Sequence, residues 1–310
     1  HPDHRRDRRD RLALMLASVQ STVLPEACWR ARQQAHEQRV LAWTEPHQAR
    51  TARGEKHPVY DFLFEYYRFR PSWLRRWHPG PDVVLKGEAA REFLRWPEYH
   101  EVDGGVVLNC AALEPRRRES VVWMLGLLRA TAERPPQFAC FGLHEWAMVY
   151  RQTPDEVRHN AWPLRFPPDE LARIVEAQPI VCSHFDAFRF FTAPARSLNR
   201  LQPERATTPE FEQRGCLHAN MDLYKWAFKL APFTPAELTA DCFALARDIR
   251  EVDMRASPYD LAKLGFAPIR IETPEGRAAY EVHQRDFAAR GQPLRARLIT
   301  LLERLLARVD

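Results

Sequence analysis

The stretch GCLHANMDLYKWAFKL, Gly215 to Leu230, decides how this chain is read. Leu217, Met221, Tyr224 and Phe228 recur at i, i+4, i+7 and i+11, the spacing of one face of an α-helix. His218, Asp222, Lys225 and Lys229 repeat that spacing one residue later, so a polar stripe borders the apolar one. Groups on such an edge are anchored by packing yet can reach a ligand, as a cleft wall requires. The segment TPAELTADCFALARDIREVDMRA, Thr234 to Ala256, follows with Cys242, Leu245, Ile249 and Val252 as its core face. Asp241 and Asp248 flank that face, and Asp253 reads as a surface acid. Two consecutive amphipathic helices of this kind predict a mainly α fold.

Helical pattern continues outward in FGLHEWAMVYR, PPDELARIVEA, SPYDLAKLG and a long terminal segment from Thr273 to Val309. Thr234-Pro235, Ser257-Pro258 and Thr273-Pro274 each offer a hydroxyl at the N-cap and proline at the first helical position. Upstream, Pro25 to Arg53 predicts a helix broken near Pro46. EPRRRESVVWMLGLLRATAERPP predicts another, with Val121, Met124, Leu127 and Leu128 inward. Val83 to Leu85 predicts a strand. In YHEVDGGVVLNCAAL, Asp103-Gly104-Gly105 supplies the positive-φ turn of a hairpin. The expectation is a flexible basic arm over 1–24 and one large domain over 25–310, mainly helical with a small β-hairpin or sheet element. A subdivision near 135 stays open.

Of 310 residues, 45% are hydrophobic and 28% charged, and no run of about 18 apolar residues is present to span a bilayer, so a soluble chain without a membrane partner is expected. The opening HPDHRRDRRDRLALML lacks the length and small-residue site of a signal peptide. Six scattered cysteines without a CxxC pair argue against a zinc ribbon or disulfide framework, and point to a cytoplasmic protein with reduced thiols. The formal charge of +5 is small for this length, and 46 basic residues less five lysines leave 41 arginines, a skew that decides nothing alone. There is no Walker loop, no GxGxxG after a strand, no GxSxG elbow and no HExxH, since Met148 stands where the second histidine would be. The pattern leaves oligomeric state open.

Histidine and carboxylate come together at His144-Glu145, at His184 with Asp186, and at His218 with Asp222, while Asp241 and Asp248 lie on the next helix. Imidazoles and acids on adjacent helices can transfer protons or bind a divalent metal, because both need donors converging within a few ångströms. Each group also has a structural use: His218 and Asp222 as a surface pair, His144 as a core histidine, Asp241 and Asp248 as partners of Arg247, Arg250 or Arg255. VCSHFDAFRFF delivers His184 and Asp186 at the exit of an apolar run, followed by phenylalanines that serve as core or as stacking surface. YDFLFEYYRFRPSWLRRWHPG interleaves rings with Arg68, Arg70, Arg75 and Arg76, a pattern shared by polyanion surfaces and by aromatic cores rimmed with arginine.

Taken together, HPVYDFLFEYYRFRPSWLRRWHPG, FGLHEWAMVYR, CSHFDAFRFF and GCLHANMDLYKWAFKLAPF with ADCFALARDIREVDMRASPYDL resemble a bacterial family commonly labelled 3-methyladenine DNA glycosylase, over about Glu26 to Arg297. The resemblance implies a DNA-repair hydrolase that cleaves the N-glycosidic bond of a damaged purine without a cofactor. Asp222 or Asp186 would then face the sugar, and His218 and His184 would handle protons or hold water. Lys225 and Arg189 would bind substrate, with Tyr224 or Trp226 stacked on the base. The residues themselves support a second expectation, a metal-dependent oxidoreductase in a helical bundle. Its iron, manganese or zinc would be held by His144, Glu145, His184, His218, Asp222 and Asp241 or Asp248. A third is a nucleic-acid-binding protein without catalysis, using only its arginines and rings.

Overall fold

The computed structural model describes residues 21–308 apart from 154 and 158–160. Most of the arm expected over 1–24 lies outside that range, and its last residues are not free. β1 (Thr22–Leu24) runs parallel to β2 (Val83–Leu85), Thr22 opposite Val83. β2 pairs antiparallel with β4 (Gly105–Leu108), which closes a hairpin with β3 (Tyr99–Val102), giving the order β1-β2-β4-β3. Gly104 turns the hairpin at φ +72°, open to glycine without cost. Val106 and Leu108 point inward, onto a core that holds Trp29, Trp77 and Phe93.

α1 (Glu26–Ala52) is continuous, correcting the break expected near Pro46. Proline in a helix forfeits one backbone bond, at a cost of about 3 kcal/mol. Trp29, His36, Val40 and Thr44, buried at helical spacing, hold the helix across it. α2 (Phe62–Tyr67) ends at Arg68, left-handed at φ 56°, and α3 (Pro71–Arg75) follows. Here the rings are core: Phe69 stacks on Phe228 at 4.0 Å, Tyr67 and Phe69 both meet Tyr224, and Phe64 meets Phe243. Trp73 remains exposed, with Arg76 4.9 Å above its ring.

The remaining helices are α4 (Pro115–Glu133), α5 (Leu143–Ala147), α6 (Pro168–Glu176), α7 (Phe185–Phe188), α8 (Ala193–Arg196), α9 (Thr208–Phe211), α10 (Leu217–Lys229), α11 (Ala236–Ala256) and α12 (Pro274–Ala307). The fold is mainly α with one small sheet. Thr273 caps α12 by accepting from the Gly276 amide at 3.0 Å. The other two expected caps fail. Thr234 makes no cap to α11, and Ser257 donates back to the Met254 carbonyl at 2.6 Å. The chain after Ser257 bridges Tyr259 to Leu164, and of the helix expected in SPYDLAKLG only a 3-10 turn at Ala262–Leu264 forms.

α10 and α11 form the most extensive helix pair, and α12 crosses both. Gly291 lets α12 pass close to Asn220, since a Cβ there would lie 2.4 Å from Asn220 Oδ1. That oxygen accepts from buried Arg295 at 2.7 Å. One hydrophobic cluster joins Trp29, Leu85, Leu127, Tyr224 and Leu302, so residues on both sides of position 135 share a core. No helix among the described residues is long and apolar enough to cross a membrane, and all six cysteines are free thiols.

Candidate active site

α10 is buried almost all round, so its polar stripe faces other helices rather than water. His218 lies at the centre of a row of three imidazoles. The ring of His144, from α5, is 4.5 Å away and edge-on at 78°, and that of His184 is 5.3 Å away and stacked at 27°. All three are buried. Local devices deliver each ring. Gly142, left-handed at φ 72°, turns the chain into α5 against Ala256 and Tyr280. Asn199 clamps Cys182, accepting from its amide at 2.7 Å and donating to its carbonyl at 2.9 Å, which holds the apolar run that ends at His184.

Carboxylates close both ends of the row. At one end His144 Nε2 lies 2.7 Å from Asp253 Oδ1, and its Nδ1 lies 3.5 Å from the Cys140 thiol. Asp253 Oδ2 accepts from Arg250 at 3.2 Å, and the same nitrogen donates to Glu145 at 2.9 Å. The Arg250 guanidinium packs 3.7 Å from the Phe62 ring centre. At the other end His184 Nε2 lies 3.2 Å from Glu212 Oε1 and 3.3 Å from Asp222 Oδ2, but neither ring nitrogen makes an aligned hydrogen bond. Asp222 also accepts from the Tyr67 hydroxyl at 2.5 Å and from Lys225 at 3.0 Å.

Protonation alternates along the row. Burial acts to lower His144, but Asp253 outweighs it and holds this imidazole well above its ordinary value. Burial and then the His144 charge push His218 well below, leaving it neutral. Burial opposes the charged form of His184 too, yet Glu212 and Asp222 raise it to about 10. Asp222 is desolvated, and Lys225, His184 and Tyr67 together still keep it well below the usual carboxylate range.

Of the residues singled out from sequence, His144, His184, His218 and Asp222 converge. Glu145 accepts from Arg250 at 2.9 Å and lines a small cavity together with His218. Asp186 stands beside it, tied to Lys225 at 3.0 Å and to Arg189 at 3.0 Å. Asp241 and Asp248 do not converge: Asp241 pairs with Arg39 and Arg297, and Asp248 with Arg290. Their edges of α11 face α1 and α12 rather than α10. Tyr224 is fully buried among Tyr67, Phe69, Phe228 and Phe243, with no face free for a base. Lys225 is neutralised by two carboxylates instead of standing free for phosphate. Trp226 is covered by Lys225 at 4.4 Å.

Asp253, expected on the surface, is fully buried in the site. Its position eight after Leu245 and four after Ile249 places it on the core face, a signal that was available. Glu212 had none, because it follows α9 in irregular chain. Contacts remote in sequence hold it: Arg134 donates to the carbonyls of Pro209 and Glu212, and Gln213 pairs both backbone groups of Gln137. Among the described residues, two sets place their donor atoms within 4.8 Å of one another, His144 with His218 and Asp253, and His184 with Glu212 and Asp222. Comparison with family models, with curated proteins and with solved structures finds no match for this chain.

Proposed function

We propose that this protein is a metal-dependent oxidoreductase that binds iron or manganese in the row of imidazoles and carboxylates between α5, α10 and α11. The observation that carries the reading is the pair of adjoining buried triads, His144–His218–Asp253 and His184–Glu212–Asp222, in which His184 Nδ1 has no hydrogen-bond partner and Nε2 sits between two carboxylates without an aligned bond. A cation that displaced the imidazole protons would take the place of these unaligned contacts. Mixed imidazole and carboxylate donors suit iron, manganese or zinc. Once bound, the metal supplies a Lewis acid and a one-electron centre. The chain does the rest. Arg250 fixes Asp253, which orients His144, and Tyr67 and Lys225 fix Asp222. Phe62, Tyr66 and Phe190 line a small cavity beside His218, together with Glu145 and Asp186.

Elemental analysis of the purified protein tests this. Iron or manganese near one or two equivalents is expected, falling to trace in His218→Ala and retained in Asp248→Asn. Protein without metal in every preparation would sink the reading. A second reading, N-glycosidic hydrolysis, is favoured by one observation: Asp222 is held ionised beside a pocket lined by tryptophan and cations. Release of free base from alkylated DNA by metal-stripped protein, abolished in Asp222→Asn, would select it instead.

A further inference from the structure

A pocket of about 1010 Å³ opens beside the Glu212 end of the imidazole row, between α4, α7 and α10. Trp123, Trp226, Arg205, Lys225, Lys229 and Glu212 are among its lining residues. Its charges are not equivalent. Lys225 is held by Asp186 and Asp222, and Arg189 by Asp186. Among the described residues, neither Arg205 nor Lys229 has a carboxylate partner. Partial desolvation, and then the charge of Lys225, lower the Lys229 ammonium against the weaker pull of Asp222 and Asp186. Beside these two cations Trp123 meets Trp226 edge to face, at 5.7 Å and 65°, and leaves 46% of its own surface open. An open indole next to unpaired cations offers a ring surface and an anion site in one cavity.

We infer that this pocket takes a small phosphate monoester carried on a planar ring, of mononucleotide size, with the phosphate on Arg205 and Lys229 and the ring against Trp123. A phosphate dianion neutralises both cations, and a flat ring of any identity covers the exposed indole. The volume sits at the upper end of the roughly 300–1,000 Å³ of small-molecule sites, so it holds one such molecule rather than a strand. The assignment rests on the proposed metal centre only in naming the reacting end, Glu212, which borders both pocket and row.

Calorimetric titration of the chain with adenosine monophosphate, adenosine and inorganic phosphate tests the inference, with metal assayed in each sample. Adenosine monophosphate is expected to bind saturably, one per chain, and more tightly than either fragment. Lys229→Ala and Arg205→Ala should each weaken it about tenfold. Trp123→Ala should weaken adenosine monophosphate and adenosine but leave phosphate alone. All three side chains are exposed, so these variants keep the fold. No saturable binding, equal binding of monophosphate and phosphate, or affinity unmoved by the variants would each overturn it. Metal retained without nucleotide binding defeats the pocket alone, whereas nucleotide binding in metal-free protein defeats the metal centre alone.

Discussion

Two buried histidines, in different regions of the molecule, hold their protons in opposite ways. His78, beside the small sheet, lies 3.0 Å from the Tyr99 hydroxyl and edge-on to Trp96, and burial followed by the Arg76 charge pushes it down to about 4. His184 is buried at least as deeply, yet Glu212 and Asp222 bring it up to about 10. Desolvation disfavours the charged ring in both places, and only converging carboxylates reverse the sign. The difference separates an imidazole used as packing from one held in a polar cluster. Arginine divides the same way: Arg250 is buried and bridges two acids, whereas Arg290 pairs with Asp248 in the open.

The arginine contrast is open to the largest break. Arg250→Met removes the buried guanidinium that bridges Glu145 and Asp253 and should cost about 3–5 kcal/mol in urea unfolding. Arg290→Ala, which removes exposed pairs with Asp248 and Asp286, should cost within about 1 kcal/mol. Equal losses would mean that the buried network is no more important than the surface.

The histidine contrast is sharpened by pH, measured as unfolding stability of metal-stripped protein. The folded value of His184 lies above the unfolded value near 6.5, so its contribution is fully present below pH 6.5 and is lost as pH rises through about 10. The folded value of His78 lies below, so its contribution is present above pH 6.5 and is lost as pH falls toward about 4. His184→Gln should reduce the alkaline limb, and His78→Gln the acid limb. A variant that leaves its own limb unchanged would refute the assignment.

The smallest effect is expected where sequence spacing misled. Asp241→Asn and Asp248→Asn should shift stability by less than about 1 kcal/mol and leave metal content unchanged, because both acids are on the surface of α11 with arginine partners. Loss of metal in either would return α11's outer edge to the site.

Much of the helical framework was legible because periodicity is a local property. Leu217, Met221, Tyr224 and Phe228 mark a buried face at any orientation of the helix, and all four are buried. The Asp103-Gly104-Gly105 turn was legible for the same reason, since the backbone angle it needs favours glycine. Caps were less so: Thr273 makes its cap, while Ser257 has a similar flanking sequence and turns back to Met254. The difference lies in what packs after each, Tyr259 being drawn into a bridge with Leu164. In the site, His218 and Asp222 were found by spacing, Asp253 was on the right helix but misjudged, and Glu212 could not be found at all.

The order of residues, on its own, determined which segments coil, which faces of them are apolar and that histidine and acid recur near one another along the second half. Only the tertiary structure decided which edge of α11 meets α10, so that Asp253 joins the row and Asp241 and Asp248 face arginines. It also decided that Glu212 reaches His184, and that Tyr224 is walled in by rings from the first half. The physical reason is that helical period specifies a direction around one axis, whereas convergence depends on crossing angles and loop paths set by packing between segments far apart in the chain.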